Sequence, residues 1–140
     1  MPAPRRRLAT NVCADQVWVA LREARPAGLT TRQLIAATGL NPSQVRRGLI
    51  HVREITAAEH MAPLIWTRRD GFRFTEKPAE LVAFEKAQFL AELTRITRLI
   101  SATVAPHAAL FPDDEYVQLV LQQLGGVRAS LHILARERRR

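Results

Sequence analysis

The chain has 140 residues and a mass of 15.8 kDa, enough for one domain with a helical extension and a core that needs no disulfide or metal staple. Its one cysteine, Cys13, excludes an intrachain disulfide framework and a thiolate metal cage. Lysine and arginine number 21 against 13 aspartates and glutamates, a net charge of +8; the longest apolar stretch is interrupted by Arg95 and Arg98, short of the roughly 20 residues of a membrane helix.

The basic excess is almost all arginine, Lys77 and Lys86 being the two lysines. An arginine fork grips phosphate or a guanine edge through two hydrogen bonds at once, which an ammonium cannot do. The excess is also uneven. Residues 1–75 set twelve arginines against Asp15, Glu23, Glu54, Glu59 and Asp70, whereas residues 76–140 are near neutral and end in Arg138, Arg139 and Arg140. Such a division separates a half that can meet a polyanion from one that packs or assembles. A merely solvated basic face is the alternative.

Residues 1–9 read as a basic arm holding Arg5, Arg6 and Arg7. No continuous apolar run follows it, so no export signal and a cytoplasmic, nucleoid-associated location are expected. Thr10 caps a helix expected to run to about Arg25, with Ala14, Val17, Trp18, Leu21 and Ala24 as its stripe and Pro26 as its stop. Thr30 or Thr31 caps a second helix, Arg32 to Thr38, which Gly39 closes in the left-handed conformation. Asn41-Pro42-Ser43-Gln44 is a sharp start signal: a cap, a first-turn proline and a capping-box glutamine. Val45, Leu49 and Val52 give the third helix its apolar edge, up to about Ile55. Gly48 inside it costs about 1 kcal/mol against alanine, either to permit close packing or at the expense of fraying.

From Leu64 to Thr75 the period changes to that of two short strands around Asp70-Gly71. With those two residues as the turn, Arg69 pairs with Phe72, Arg68 with Arg73 and Thr67 with Phe74, which sets two like charges opposite each other. The longest helix is expected from about Ala79 to Val104, ended by Pro106, with Val82, Phe89, Leu93, Ile96 and Ile100 along its stripe. About 26 residues span about 39 Å, so part of this apolar surface outruns the small domain before it. Asp113-Asp114-Glu115 opens another helix at the favourable end of its dipole. Gly125-Gly126 is expected to break it before a last helix with Val127, Leu131 and Leu134. The fold class is therefore mainly α with one β-hairpin, divided as arm 1–9, domain 10–77 and helical region 78–140.

The order helix, helix, tight turn, helix, arginine-bearing hairpin between Thr10 and Thr75 resembles a winged helix-turn-helix. The segment that carries the likeness runs from Leu34 to Leu49: Gly39 makes the bend, and Leu34, Leu40, Val45 and Leu49 lock two helices together. Ile35 departs from it, since the position four before the turn glycine is usually alanine in such families. The resemblance implies double-stranded DNA as the partner, with the N-terminal part of the third helix in the major groove. Ser43, Gln44, Arg46, Arg47, His51 and Arg53 are then the candidate contacts on that helix, arginine for guanine edges or phosphates and Gln44 for adenine. Arg68, Arg69 and Arg73 would meet the flanking backbone or minor groove, and Arg5, Arg6 and Arg7 would form a minor-groove arm or an idle tail. With helices following, the plan resembles that of MarR and PadR regulators. It implies a homodimer through Val82, Phe89, Leu93, Ile96 and Ile100 and two reading helices about one DNA turn apart, ~34 Å.

A sequence-specific regulator of transcription is thus expected. The alternatives are a winged-helix adaptor for protein partners, or a replication, partition or excision factor of a mobile element. His51, His60, His107 and His132 are scattered without ligand spacing, and Gly125-Gly126 lacks the lysine of a phosphate loop. No enzyme activity, metal or cofactor is expected, and no effector is legible. Cys13, Trp18 and Trp66 are expected to fill core.

Overall fold

A computed structural model describes residues 7–136, and the chain forms two compact units, Met1–Leu81 and Val82–Arg140. The division falls a few residues later than the expected one at 77, because the first turn of the long helix is bonded to the first unit.

In that first unit, α1 (Thr10–Glu23) is capped by Ala9 rather than Thr10, and Ala9 has no side chain to bond the free N–H groups. Helices α2 (Thr31–Thr38) and α3 (Pro42–His51) both open on a capping box. Thr30 Oγ1 accepts from the Gln33 N–H at 3.2 Å, and the Thr30 N–H donates to Gln33 Oε1 at 2.9 Å. Asn41 Oδ1 accepts from the Gln44 N–H at 2.8 Å, and the Asn41 N–H donates to Gln44 Oε1 at 3.0 Å. Between the two helices, Gly39 takes φ +70°. Every turn donor that these residues can satisfy locally is satisfied, which fixes the angle between α2 and α3.

Cys13, Val17 and Leu21 from α1, Leu34 from α2, Leu40 from the turn, Val45, Leu49 and Val52 from the third helix and Phe74 from the hairpin form one buried cluster. Gly48 belongs to this packing. A methyl group on it would lie 2.9 Å from the Cys13 carbonyl oxygen and 2.9 Å from Val17 Cγ2, so the glycine serves close approach and not fraying. Ile35 is accommodated at the edge of the same cluster. The third helix does not stop at Ile55. It continues as a π-helical segment, Val52–Thr56, into α4 (Ala57–Glu59).

The hairpin pairs β1 (Leu64–Thr67) with β2 (Gly71–Phe74) in the register Leu64–Phe74, Ile65–Arg73, Trp66–Phe72 and Thr67–Gly71. The expected two-residue turn is thus replaced by a three-residue tip, Arg68 to Asp70, and the expected Arg68–Arg73 pair does not form. Two contacts account for the shift. Thr67 Oγ1 accepts from the Asp70 N–H at 3.0 Å, closing the tip from within. Leu29 pairs with Phe72 through two backbone hydrogen bonds of 2.8 and 2.9 Å, which sets β2 from its far side. The pairing is displaced by three positions from the expected one, an odd number that exchanges the two faces of one strand against the other, so Arg73 lies opposite buried Ile65. Its Nη1 reaches Glu80 Oε2 at 2.6 Å, on the first turn of α5 (Pro78–Leu99).

In the second unit α5 passes into a π-helical segment, Ile100–Val104, then α6 (Ala105–Leu110) and α7 (Glu115–Ala135). Pro106 does not end the helix. The switch to wider turns, with the Ala105 N–H donating to Ile100 O, relieves the clash that a proline ring makes with the carbonyl four residues back. Asp114 Oδ1 caps α7 by accepting from the Tyr116 and Val117 N–H groups at 3.0 and 3.3 Å. Gly125 and Gly126 lie inside an unbroken α7; about 1 kcal/mol each is too little to stop a helix of strong formers on both sides. Gln118 Nε2 donates to Ala108 O at 3.1 Å and ties α7 to α6. Leu93, Ile100, Val104, Ala108 and Val117 are buried here.

Candidate nucleic-acid interface

One exposed stripe runs along the third helix. Ser43, Arg46, Ile50 and Arg53, with Glu54 beside it, follow the three- and four-residue spacing of a single helical face, and all five are exposed. The opposite face carries the buried Val45, Leu49 and Val52, so packing against α1 and α2 presents this stripe outward. Arg46 stands on it without a partner among the described residues.

Arg53 has one. Its guanidinium lies 4.0 Å from the ring centre of Trp66 in β1, a stack of cation on aromatic face worth about 0.5–1 kcal/mol at an exposed site. It joins the third helix to the hairpin whose tip carries exposed Arg68 and Arg69. Trp66 is half-buried and packs near Phe72 at 6.3 Å between ring centres, so it is a platform rather than the core residue expected. An open groove of about 660 Å³ lies between the helix and β1, lined by Ile50, Arg53, Glu54, Ala57, Leu64 and Trp66 among others.

Other expected contacts are placed differently. Arg47 sits on the shoulder of the stripe, half-buried, its Nη1 donating to Leu8 O at 3.2 Å and Thr10 Oγ1 at 3.4 Å, with Nε buried and unbonded. It grips the start of α1. The carbonyl oxygen of Gln44 is committed to the capping box. His51, half-buried, shares a 3.3 Å hydrogen bond between Nδ1 and Thr56 Oγ1 across the π-helical segment. Arg73 points inward to Glu80, away from the hairpin tip. Arg7 is exposed, and Arg5 and Arg6 lie outside the described residues. Ile50 and Glu54 were not singled out from the sequence, although their spacing from Arg46 (four and eight residues) placed them beside it.

The apolar stripe expected for pairing two copies is only partly outward. Leu93 and Ile100 are buried within the second unit, Phe89 and Ile96 are half-buried, and Val82 is exposed. α7 packs on the π-helical segment and α6, which leaves other apolar groups outside: Tyr116, Leu119, Val127 and Leu134 of α7 are each 45% or more exposed.

Glu80 is the one group among the described residues whose titration is clearly displaced. Hydrogen bonds from Thr75 Oγ1 at 2.7 Å and then from Arg73 hold its carboxyl below the ordinary 4.5. Among the described residues no three His, Cys, Asp or Glu side chains group as a metal site, and no helix is long and apolar enough to cross a membrane. No protein-family model matches the chain, and no curated protein and no solved structure matches it; what the interface binds is read from its own chemistry.

Proposed function

We propose that the protein binds double-stranded DNA and discriminates between sequences, as a winged helix-turn-helix regulator of transcription. The third helix enters the major groove and the hairpin tip meets the flanking backbone. The Arg53–Trp66 stack carries this reading: it holds the two arginine-bearing elements side by side, so Arg46 on one and Arg68 and Arg69 on the other address one polyanion. The net charge of +8 supports it through long-range attraction. Two copies pair through the exposed apolar edge of α7 and present two reading helices to a palindromic site.

The test is fluorescence anisotropy of the full chain with labelled duplexes over a salt series, followed by selection of bound sequences from a random pool. Affinity falls steeply with salt as phosphate counterions are released, and one sequence is enriched. Arg46→Ala weakens that binding with the fold intact. A wild-type chain that enriches no sequence refutes the proposal.

The apolar lining of the groove between helix and hairpin favours one second reading, an adaptor that docks a protein segment there. It predicts weak, sequence-blind DNA binding. The position of a selected site, at a promoter or at an origin or excision site, separates transcriptional control from the mobile-element roles.

A further inference from the structure

We propose that Ile50 and Glu54 read base edges: Ile50 the methyl group of a thymine and Glu54 the N4 amino group of a cytosine no more than about two base pairs away. This rests on the DNA-binding reading above and assigns which chemistry the exposed stripe selects.

Glu54 is exposed, and among the described residues its carboxylate makes no ion pair or hydrogen bond. Arg53 precedes it in the chain and is spent on the face of Trp66, while the other exposed arginines of the interface are Arg46, Arg68 and Arg69. A free carboxylate facing a duplex is repelled by phosphates of any sequence. It recovers that loss only where it accepts a hydrogen bond, and the donors in the major groove are the amino groups of cytosine and adenine, of which glutamate takes cytosine N4. Glu54 therefore lowers affinity for all DNA while raising the preference for sites that hold a cytosine in its reach.

Ile50 is 45% exposed at the centre of an otherwise polar stripe. It lines the groove beside Glu54, so it has been left out of the core by the same packing that buried Leu49 and Val52. The apolar feature of the major groove is the thymine methyl. Four residues along a helix is about 6 Å, against 3.4 Å per base step, which sets the spacing of the two bases.

The experiment selects bound sites from a random duplex pool with the full-length wild type, Glu54→Gln and Ile50→Ala, and measures each variant's affinity for the wild-type site and for an unrelated duplex. Both positions are exposed, and equal melting temperatures check that the fold is kept. Glu54→Gln is expected to bind the unrelated duplex more tightly, by about threefold, and to move the preference at one position from cytosine toward adenine, which glutamine reads. Ile50→Ala is expected to lose about fivefold of its preference for thymine within two positions of that cytosine. A Glu54→Gln chain that tightens on both duplexes equally and selects the wild-type sequence overturns the assignment and leaves DNA binding standing. A wild-type chain that enriches no sequence overturns the DNA reading, and this assignment with it.

Discussion

The backbone of α1 at Cys13 presses on Gly48 of α3 so closely that a Cβ built on the glycine would lie 2.9 Å from the Cys13 carbonyl oxygen. Cys13 is wholly buried beside it, so neither helix can yield without opening the core. Gly48→Ala should therefore destabilise the first unit even though alanine is the better helix former by about 1 kcal/mol. Overpacking costs about 1–3 kcal/mol, and urea unfolding of the full chain should show a net loss. Unchanged or increased stability would mean that α1 and α3 can separate by the few tenths of an ångström required.

Gly48, Gly39 and the two capping boxes share a property that made the first unit legible from sequence: each is decided by residues within a few positions of itself. The leucines and valines of the core follow the helical period, which is equally local. The hairpin was legible only as a hairpin. Its register is set by Leu29, some forty residues before Phe72, and no property of Asp70-Gly71 announces that partner. Once the register moves, Arg73 turns from a presumed DNA contact to an internal ion pair. Pro106 did not act as a stop because the π-helical turns before it relieve the clash of its ring, and Gly125-Gly126 did not because about 1 kcal/mol each is small beside the strong helix formers on both sides. Glu54 went unread because an acid on a basic surface looks like noise until its exposure and lack of a partner are known.

Arg46 and Arg47 are adjacent in the chain and should behave differently. Arg46 is exposed and has no partner among the described residues, so Arg46→Ala should leave the melting temperature unchanged and weaken DNA binding. Arg47 bonds Leu8 O and Thr10 Oγ1, next to the Ala9 carbonyl that accepts from the Val12 and Cys13 N–H groups. Arg47→Ala should quicken hydrogen exchange at Val12 and Cys13 and cost about 1 kcal/mol. Some of that loss is offset because its unbonded, buried Nε disappears too. Equal exchange in both variants would return Arg47 to the surface.

The ion pair of Arg73 and Glu80 couples β2 to the first turn of α5 and gives stability a defined pH dependence. Glu80 is held below its ordinary 4.5, first by Thr75 and then by Arg73. In acid the unfolded chain binds this proton more readily than the folded one, so the stabilisation is complete above about pH 4.5 and is lost as pH falls through the lowered value. Melting temperatures recorded from about pH 7 down to about pH 3 should fall less steeply for Glu80→Gln than for wild type, and the variant should already melt lower at neutral pH. Parallel curves would show that the pair contributes nothing to the fold.

α7 sets the last expectation, which concerns assembly. Tyr116, Leu119, Val127 and Leu134 lie along one edge at three-, eleven- and eighteen-residue separations from the first, whole or nearly whole numbers of turns, and are 73%, 53%, 45% and 50% exposed. Gln123 and Ser130, which share that edge, carry no charge, so two copies meeting there bring no like charges together. The unit itself has few fully buried apolar side chains, and a unit of this size gains little from so small a core. Light scattering should give twice 15.8 kDa for the wild type. Val127→Glu places a carboxylate in the middle of the seam, where burial costs several kcal/mol. It should return the mass to one copy while leaving the helical circular-dichroism signal intact. It should also weaken binding to a palindromic site far more than to one half-site, since only the former uses both heads. A wild type that measures one copy at micromolar concentration, or a Val127→Glu chain that stays paired, would place the contact elsewhere.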